Sequence, residues 1–175
     1  MSKRGWLFVF EGIDGTGKST QCSKMEEYLE SKEIPCVHLR EPTNGVWGQK
    51  IRKILTVGRA NVTHEEELSW FIEDRKEDVE KNILPALGQN KVVLLDRYYY
   101  STAAYQGALG FNPDSIINDN EIFAPVPDRA YIFSATPKEC LARIEKSREM
   151  KSSFEKLEYL QSVQKIFDTF EGDNI

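Results

Sequence analysis

The chain has 175 residues, the size of one domain, and its 40% hydrophobic and 29% charged residues suit a globular protein with a real core. A net charge of −5 argues against a broad nucleic-acid-binding surface, so any anionic substrate must be met by cations gathered locally. Three widely spaced cysteines, Cys22, Cys36 and Cys140, lack metal-ligand spacing and read as reduced thiols, and the apolar run Trp6–Phe10 is too short for a signal peptide or a membrane span; a cytoplasmic protein with no membrane partner is expected.

Short apolar runs alternate with helical patterns, which predicts an α/β fold with a parallel sheet. Trp6 to Phe10 is continuously apolar, as a strand buried on both faces should be. A glycine-rich turn follows, then a helical stretch with Cys22, Met25 and Leu29 on one face. Pro35 opens a second strand, Cys36 to Leu39, and Pro42, Asn44 and Gly45 mark a loop before an amphipathic stretch that carries Arg52. Glu65 to Leu87 reads as one long helix, because Leu68, Phe71, Ile72, Val79, Ile83 and Leu87 recur at helical spacing. A third strand, Val92 to Leu95, ends at Asp96. Helices are predicted over Tyr98 to Leu109 and Pro113 to Phe123, a fourth strand over Arg129 to Phe133, and a helix from Pro137, where proline is tolerated. After a polar stretch, Lys146 to Lys156, a last helix presents Leu157, Leu160, Val163, Ile166, Phe167 and Phe170.

Gly12-Ile-Asp-Gly-Thr-Gly-Lys-Ser19 fits the phosphate-binding loop pattern G-x-x-x-x-G-K-[ST], between a predicted strand and a predicted helix. Its glycines let backbone N–H groups turn inward onto phosphate oxygens, beside a helix N-terminus that favours anions. Lys18 can reach the β and γ phosphates, and Ser19 can offer a hydroxyl to Mg²⁺. A second Mg²⁺ anchor belongs at the end of a neighbouring strand, where Asp96 stands; the same position also suits a strand-end cap or an ion pair with Arg97. The loop implies a nucleoside triphosphate without naming the acceptor. A guanine-reading Asn-Lys-x-Asp is missing, since Asn90-Lys91 runs into Val92 and Val93, and larger ATPases need more chain. Arg40, Arg52, Arg75 and Arg97 lie near predicted strand ends or on a facing helix. Arginine grips phosphate bidentately, so a small-molecule kinase is favoured over a nucleotide-dependent regulator.

Phe10-Glu-Gly-Ile-Asp-Gly-Thr-Gly-Lys-Ser-Thr-Gln21, Arg40-Glu-Pro42, Phe71-x-x-x-Arg75, Asp96-Arg-Tyr98 and Ser101-Thr-Ala-Ala-Tyr-Gln-Gly107 occur here in one order. In these motifs the chain, from about Trp6 to Phe170, resembles the thymidylate kinase family. The resemblance implies a P-loop NTPase fold, a parallel sheet with helices on both faces, transfer of phosphate from ATP to dTMP with Mg²⁺, and a homodimer. Another nucleoside or nucleoside-monophosphate kinase is the alternative. The resemblance implies an ATP site at Gly12, Asp14, Gly15, Thr16, Gly17, Lys18, Ser19, Thr20 and Arg143. It implies a dTMP site in which Asp14 receives the 3′-hydroxyl, Phe71 stacks on thymine, Arg75 donates to a thymine carbonyl, and Thr102 and Gln106 read the pyrimidine edge. Arg52 and Arg97 would hold the acceptor phosphate, Tyr105 would lie near the deoxyribose, and Arg40 and Pro42 complete the set. By pattern alone Phe71, on an apolar stripe, reads as a core residue. Residues 143–156 resemble a lid whose Lys146, Arg148 and Lys151 replace a basic residue in the P-loop, with Lys18, Arg97, Arg148 and Lys151 as the catalytic cations. Two features depart from the family: Ser153 precedes Phe154-Glu155, with Ser162 and Gln164 in the next helix, and the strand and helix that usually follow are expected to be missing after Ile175.

Overall fold

A computed structural model of the protein describes residues 4–59, 61–145 and 154–175. Four strands form one parallel sheet in the order β2-β3-β1-β4: β1 (Leu7–Glu11), β2 (Cys36–Arg40), β3 (Val92–Asp96) and β4 (Arg129–Ile132). The continuous apolar runs occupy the two central positions. Leu7, Val9, Val93 and Leu95 point to one face, with a large core that includes Tyr98, Leu160 and Phe167. Phe10, Val92 and Leu94 point to the other, against Cys22 and Leu29 of α1 (Lys18–Ser31). Both faces are covered, which is why these strands lack polar alternation. β2 lies at an edge and is only half-buried.

The remaining helices are α2 (Val46–Val57), α3 (His64–Asp78), α4 (Leu84–Gly88), α5 (Tyr99–Gly107), α6 (Pro113–Glu121), α7 (Pro137–Glu145) and α8 (Phe154–Phe167). Local chemistry starts several of them. Thr63 and Glu66 form a reciprocal capping box on α3, Asn112 caps α6 through Ser115 N, and Thr136 with Glu139 does the same for α7. The single helix expected from Glu65 to Leu87 is instead three pieces, because a π-helical turn at Val79–Ile83 separates α3 from α4. Pro85 explains the break: it has no N–H for the Lys81 carbonyl and its ring crowds that carbonyl, and widening the turn relieves both. The last helix stops at Phe167, so Phe170 packs from the turn beyond it. Along the outer edge of β4 the Ala130 N–H donates to Asn174 O at 2.6 Å. No helix among the described residues is long and apolar enough to cross a membrane.

The register that places Phe10 beside Asp96 sets the site. It brings the loop after β1 and the carboxylate ending β3 together at the carboxyl edge of the sheet, where ligands bind in open parallel sheets.

Candidate active site

Two glycines of the loop from Gly12 to Ser19 stand against backbone that leaves no room for a Cβ. A Cβ on Gly12 would lie 2.3 Å from Phe133 O, and one on Gly15 would lie 2.6 Å from Cys140 O; both residues also have positive φ, 127° and 88°. Thr16 N–H and Oγ fold back on Ile13 O, and α1 opens at Lys18 with its first-turn N–H groups facing the loop. The Lys18 side chain is buried and its Nζ donates to Ile13 O at 2.9 Å. Burial, then the nearby Arg97 charge, lowers the Lys18 pKa to about 8.

Ser19 Oγ donates to Asp96 Oδ2 at 2.6 Å, and Asp96 is 1% exposed. The other oxygen, Oδ1, has no hydrogen-bond partner among the described residues. A buried carboxylate oxygen without a donor, beside a hydroxyl, is the hard oxygen pair a Mg²⁺ ion takes. Thus Ser19 and Asp96 fit the metal expected from the sequence. A cleft of about 340 Å³ opens at Ser19, lined also by Asp14, Gly15, Gly17, Lys18, Thr20, Arg40, Arg97 and Arg143. Arg143 Nη1 donates to Gly15 O at 3.0 Å. Arg40 is exposed, with its Nε 3.7 Å from Asp96 Oδ2, and it lines both this cleft and a neighbouring one over Pro42 and Arg52.

Arg97 joins this cleft to a second region. Its Nη1 donates to Gly12 O at 3.2 Å and to Ser101 Oγ at 2.9 Å, its Nη2 donates to Asp14 Oδ1 at 2.6 Å, and its guanidinium lies over the Tyr105 ring. The Tyr105 hydroxyl accepts from Asp14 N–H at 3.1 Å. Arg52 turns to the β2–α2 loop, donating to Pro42 O (2.9 Å), Thr43 O (2.6 Å) and Asn44 Oδ1 (2.8 Å).

A polar interior lies where α3, α5 and α6 meet. Arg75 on α3 is 1% exposed. Its Nε donates to Glu41 Oε2 at 3.0 Å and its Nη2 to Glu41 Oε2 and to Thr102 Oγ1, at 2.5 and 3.0 Å. Its Nη1 donates to Asn120 Oδ1 at 2.7 Å. A guanidinium has five N–H donors, so one N–H on Nη1 remains beyond these four bonds. On α5, Thr102 and Gln106 are one turn apart on the same face. Gln106 is 1% exposed, and its Oε1 is a buried acceptor with no hydrogen-bond partner among the described residues. Phe71, one turn before Arg75 on α3, is half-buried. Arg75 thus keeps one donor, and Gln106 one acceptor, beyond the hydrogen bonds made among the described residues.

The thymidylate kinase family model matches residues 10–174. The chain belongs to the thymidylate kinase family. A thymidylate kinase from Desulfotalea psychrophila is 49% identical over 166 residues, covering 94% of this chain and 81% of the relative. One from Akkermansia muciniphila is 45% identical, covering 94% and 79%. The solved thymidylate kinase of Ehrlichia chaffeensis superposes with a TM-score of 0.69 at 34% identity, covering 82% of this chain and 83% of that one.

In this thymidylate kinase family member, Lys18, Ser19, Asp96, Arg97 and Asp14 converge, while Arg75 and Thr102 form a second, buried group whose Thr102 directly follows the Ser101 that Arg97 holds; Gln106 lies one turn further along α5. Arg52 is held at the loop rather than at Arg97. The lid cations Lys146, Arg148 and Lys151 lie outside the described residues. Sequence reasoning missed Glu41, Asn120, Asp74 and Glu11. Asp74 accepts from Thr43 N (2.7 Å) and Thr43 Oγ1 (2.6 Å) and so fixes the loop that carries Pro42 and holds Arg52. Glu41 lay inside the quoted Arg40-Glu-Pro42 motif, and nothing in the local pattern marked Asn120.

Proposed function

We propose that this chain moves the γ-phosphoryl group of ATP onto the phosphate of dTMP, giving ADP and dTDP, and that Mg²⁺ held by Ser19 and Asp96 takes part. The observation that carries this is the meeting of Lys18, Asp96 and Arg97 at the carboxyl ends of β1 and β3, next to the Arg75, Thr102 and Gln106 wall. The P-loop amides, with Thr16, Thr20 and Arg143 around them, take the triphosphate, and Lys18 neutralises its β and γ oxygens. Held by Ser19 and Asp96, Mg²⁺ would neutralise charge on the triphosphate. Arg97 takes the acceptor phosphate, with Arg52 supporting it from the α2 side. Arg75 donates its remaining N–H to a thymine carbonyl, Gln106 Oε1 accepts the ring N–H, and Phe71 stacks on the base. Tyr105 fills the space beside the sugar and disfavours a 2′-hydroxyl, and Asp14 accepts the 3′-hydroxyl. Arg148 and Lys151, which lie outside the described residues, supply further positive charge to the transferring group in this reading.

A phosphate monoester has a second pKa near 6 and is largely dianionic at neutral pH. The nucleophile needs no general base, and catalysis is positioning plus charge stabilisation. A coupled ADP-release assay across the common nucleoside monophosphates tests the proposal: dTMP should be the preferred acceptor, and ADP release without any acceptor dependence would overturn it. Pairing into a homodimer rests on the resemblance and is checked by sedimentation.

A further inference from the structure

Glu11 is the one charged residue of β1, and it is wholly buried at the last position before the P-loop. Burial pushes its carboxyl up to about 7, against the pull of the Ser101 hydrogen bond and the Arg97 charge. A strand that needed only packing would carry an apolar residue here, as at Leu7 to Phe10. Its contacts show where the carboxylate acts. Oε1 accepts from Tyr98 N at 2.8 Å and from Ser101 N at 3.3 Å, while Oε2 accepts from the Ser101 hydroxyl. Tyr98 is the N-cap of α5 and has no side-chain cap of its own. Glu11 therefore caps α5 from another element and binds the backbone that follows Arg97. That backbone needs holding, because Arg97 has φ 74°, a left-handed conformation unfavourable for a side chain of its size.

The Ser101 hydroxyl continues the connection. Arg97 Nη1 donates to Ser101 Oγ at 2.9 Å. A guanidinium only donates, so Ser101 must accept there, and its one proton is left for Glu11. While Glu11 is ionised its carboxylate only accepts, and the three groups are then ordered from Arg97 to Ser101 to Glu11.

We propose that Glu11 is a positioning residue for the acceptor phosphate, acting through Ser101 and the Tyr98 amide to fix both the backbone and the guanidinium of Arg97. The proposal rests on Arg97 serving the acceptor. It separates Glu11 from the P-loop it adjoins: the substrate affected is dTMP and not ATP.

The test compares Glu11→Gln, Ser101→Ala, the variant carrying both, and Arg97→Ala, measuring kcat and the KM of each substrate. Glu11→Gln leaves the hydroxyl proton without its carboxylate and should raise KM for dTMP about tenfold, the worth of one charge-assisted hydrogen bond, while KM for ATP stays within about twofold. Ser101→Ala should do the same, and the double variant should match Ser101→Ala alone and not the product of the two effects. Equal rises in both KM values would make Glu11 a support of the P-loop and overturn the proposal, as would multiplying effects. If Glu11→Gln does not fold, Ser101→Ala decides alone: an unchanged KM for dTMP ends the proposal. Arg97→Ala tests the reading beneath it; if that variant leaves dTMP untouched, the acceptor role of Arg97 is wrong, whatever Glu11 does.

Discussion

Replacing Arg75 by Lys separates base recognition from folding, because the charge stays and the planar fork goes. A lysine ammonium can keep Glu41, the carboxylate against the guanidinium at 2.5 Å. It cannot also reach Asn120 Oδ1 and Thr102 Oγ1, which Arg75 meets at 2.7 and 3.0 Å. Each buried acceptor left without its donor costs about 1–2 kcal/mol, so the fold should lose about 2–4 kcal/mol. At about 2–4 °C per kcal/mol for a protein of this size, Tm should fall by about 4–16 °C. The variant also loses the N–H meant for the base. A hydrogen bond from a charged donor is worth about 1.5–3 kcal/mol, so kcat/KM for dTMP should fall about ten- to a hundredfold. An acceptor with an amino group in place of that carbonyl, dCMP, has no such bond to lose, and the preference for dTMP over dCMP should narrow by the same factor. KM for ATP should hold, since Arg75 makes none of the P-loop bonds. Thermal melts and steady-state kinetics with both acceptors measure this, with Thr102→Val as the milder variant if the Arg75→Lys protein does not accumulate. Equal losses for dTMP and dCMP would refute base recognition and leave Arg75 a structural residue; an unchanged Tm would refute the buried frame.

Lys18→Ala should leave the fold intact and cut turnover by at least about a hundredfold, read in the ADP-release assay. Because the Lys18 pKa is lowered to about 8, the side chain loses its proton as pH rises through that value, while a bound triphosphate favours the charged form. ATP binding near pH 8.5 should therefore take up a proton and weaken from pH 7 to 9; calorimetry in buffers of different ionisation enthalpy detects the uptake, and Lys18→Arg should abolish it. Asp96→Asn should raise the Mg²⁺ concentration for half-maximal activity by about tenfold or more, seen in a metal titration at fixed ATP. Arg148→Ala and Lys151→Ala should lower kcat unequally with little change in Tm, and normal kcat in both would remove the lid cations from the mechanism.

The parts of the molecule that depend on neighbouring residues were legible in the sequence. The P-loop is a contiguous run of glycines with a lysine and a serine, and its conformation follows from that run. Both central strands were visible as apolar runs, and Asp96 stood at the end of one of them. The helix from Glu65 was visible too, but its period passed smoothly over Pro85, so the π-turn at Val79–Ile83 was not. The frame around Arg75 was least legible. Its partners Glu41, Asn120 and Thr102 are 34, 45 and 27 residues away in sequence, and only the folded chain brings them to one guanidinium. Periodicity could place Phe71 and Arg75 on one face of α3; it could not say that Arg75 points inward with four of its donors already used.

That difference divides the proposed acceptor site into a fixed end and an adjustable one. Arg75 and Glu41 are both buried, and parting them would strand an unpaired charge in the interior, at a cost of about 3–5 kcal/mol. Arg97 at the other end is paired with Asp14, whose side chain is 62% exposed. An ion pair that open to solvent is worth about 1 kcal/mol or less. A phosphate dianion brings more charge and more acceptors than a carboxylate, so it can take the Arg97 Nη2 donor from Asp14 cheaply, whereas a base cannot take the Glu41-bound donors of Arg75. On the proposed reading, base selection rests on a geometry complete before the substrate arrives, and phosphate capture rests on an exchange at Arg97 that needs the left-handed turn at Arg97 and its bond to Ser101 to keep the guanidinium in place.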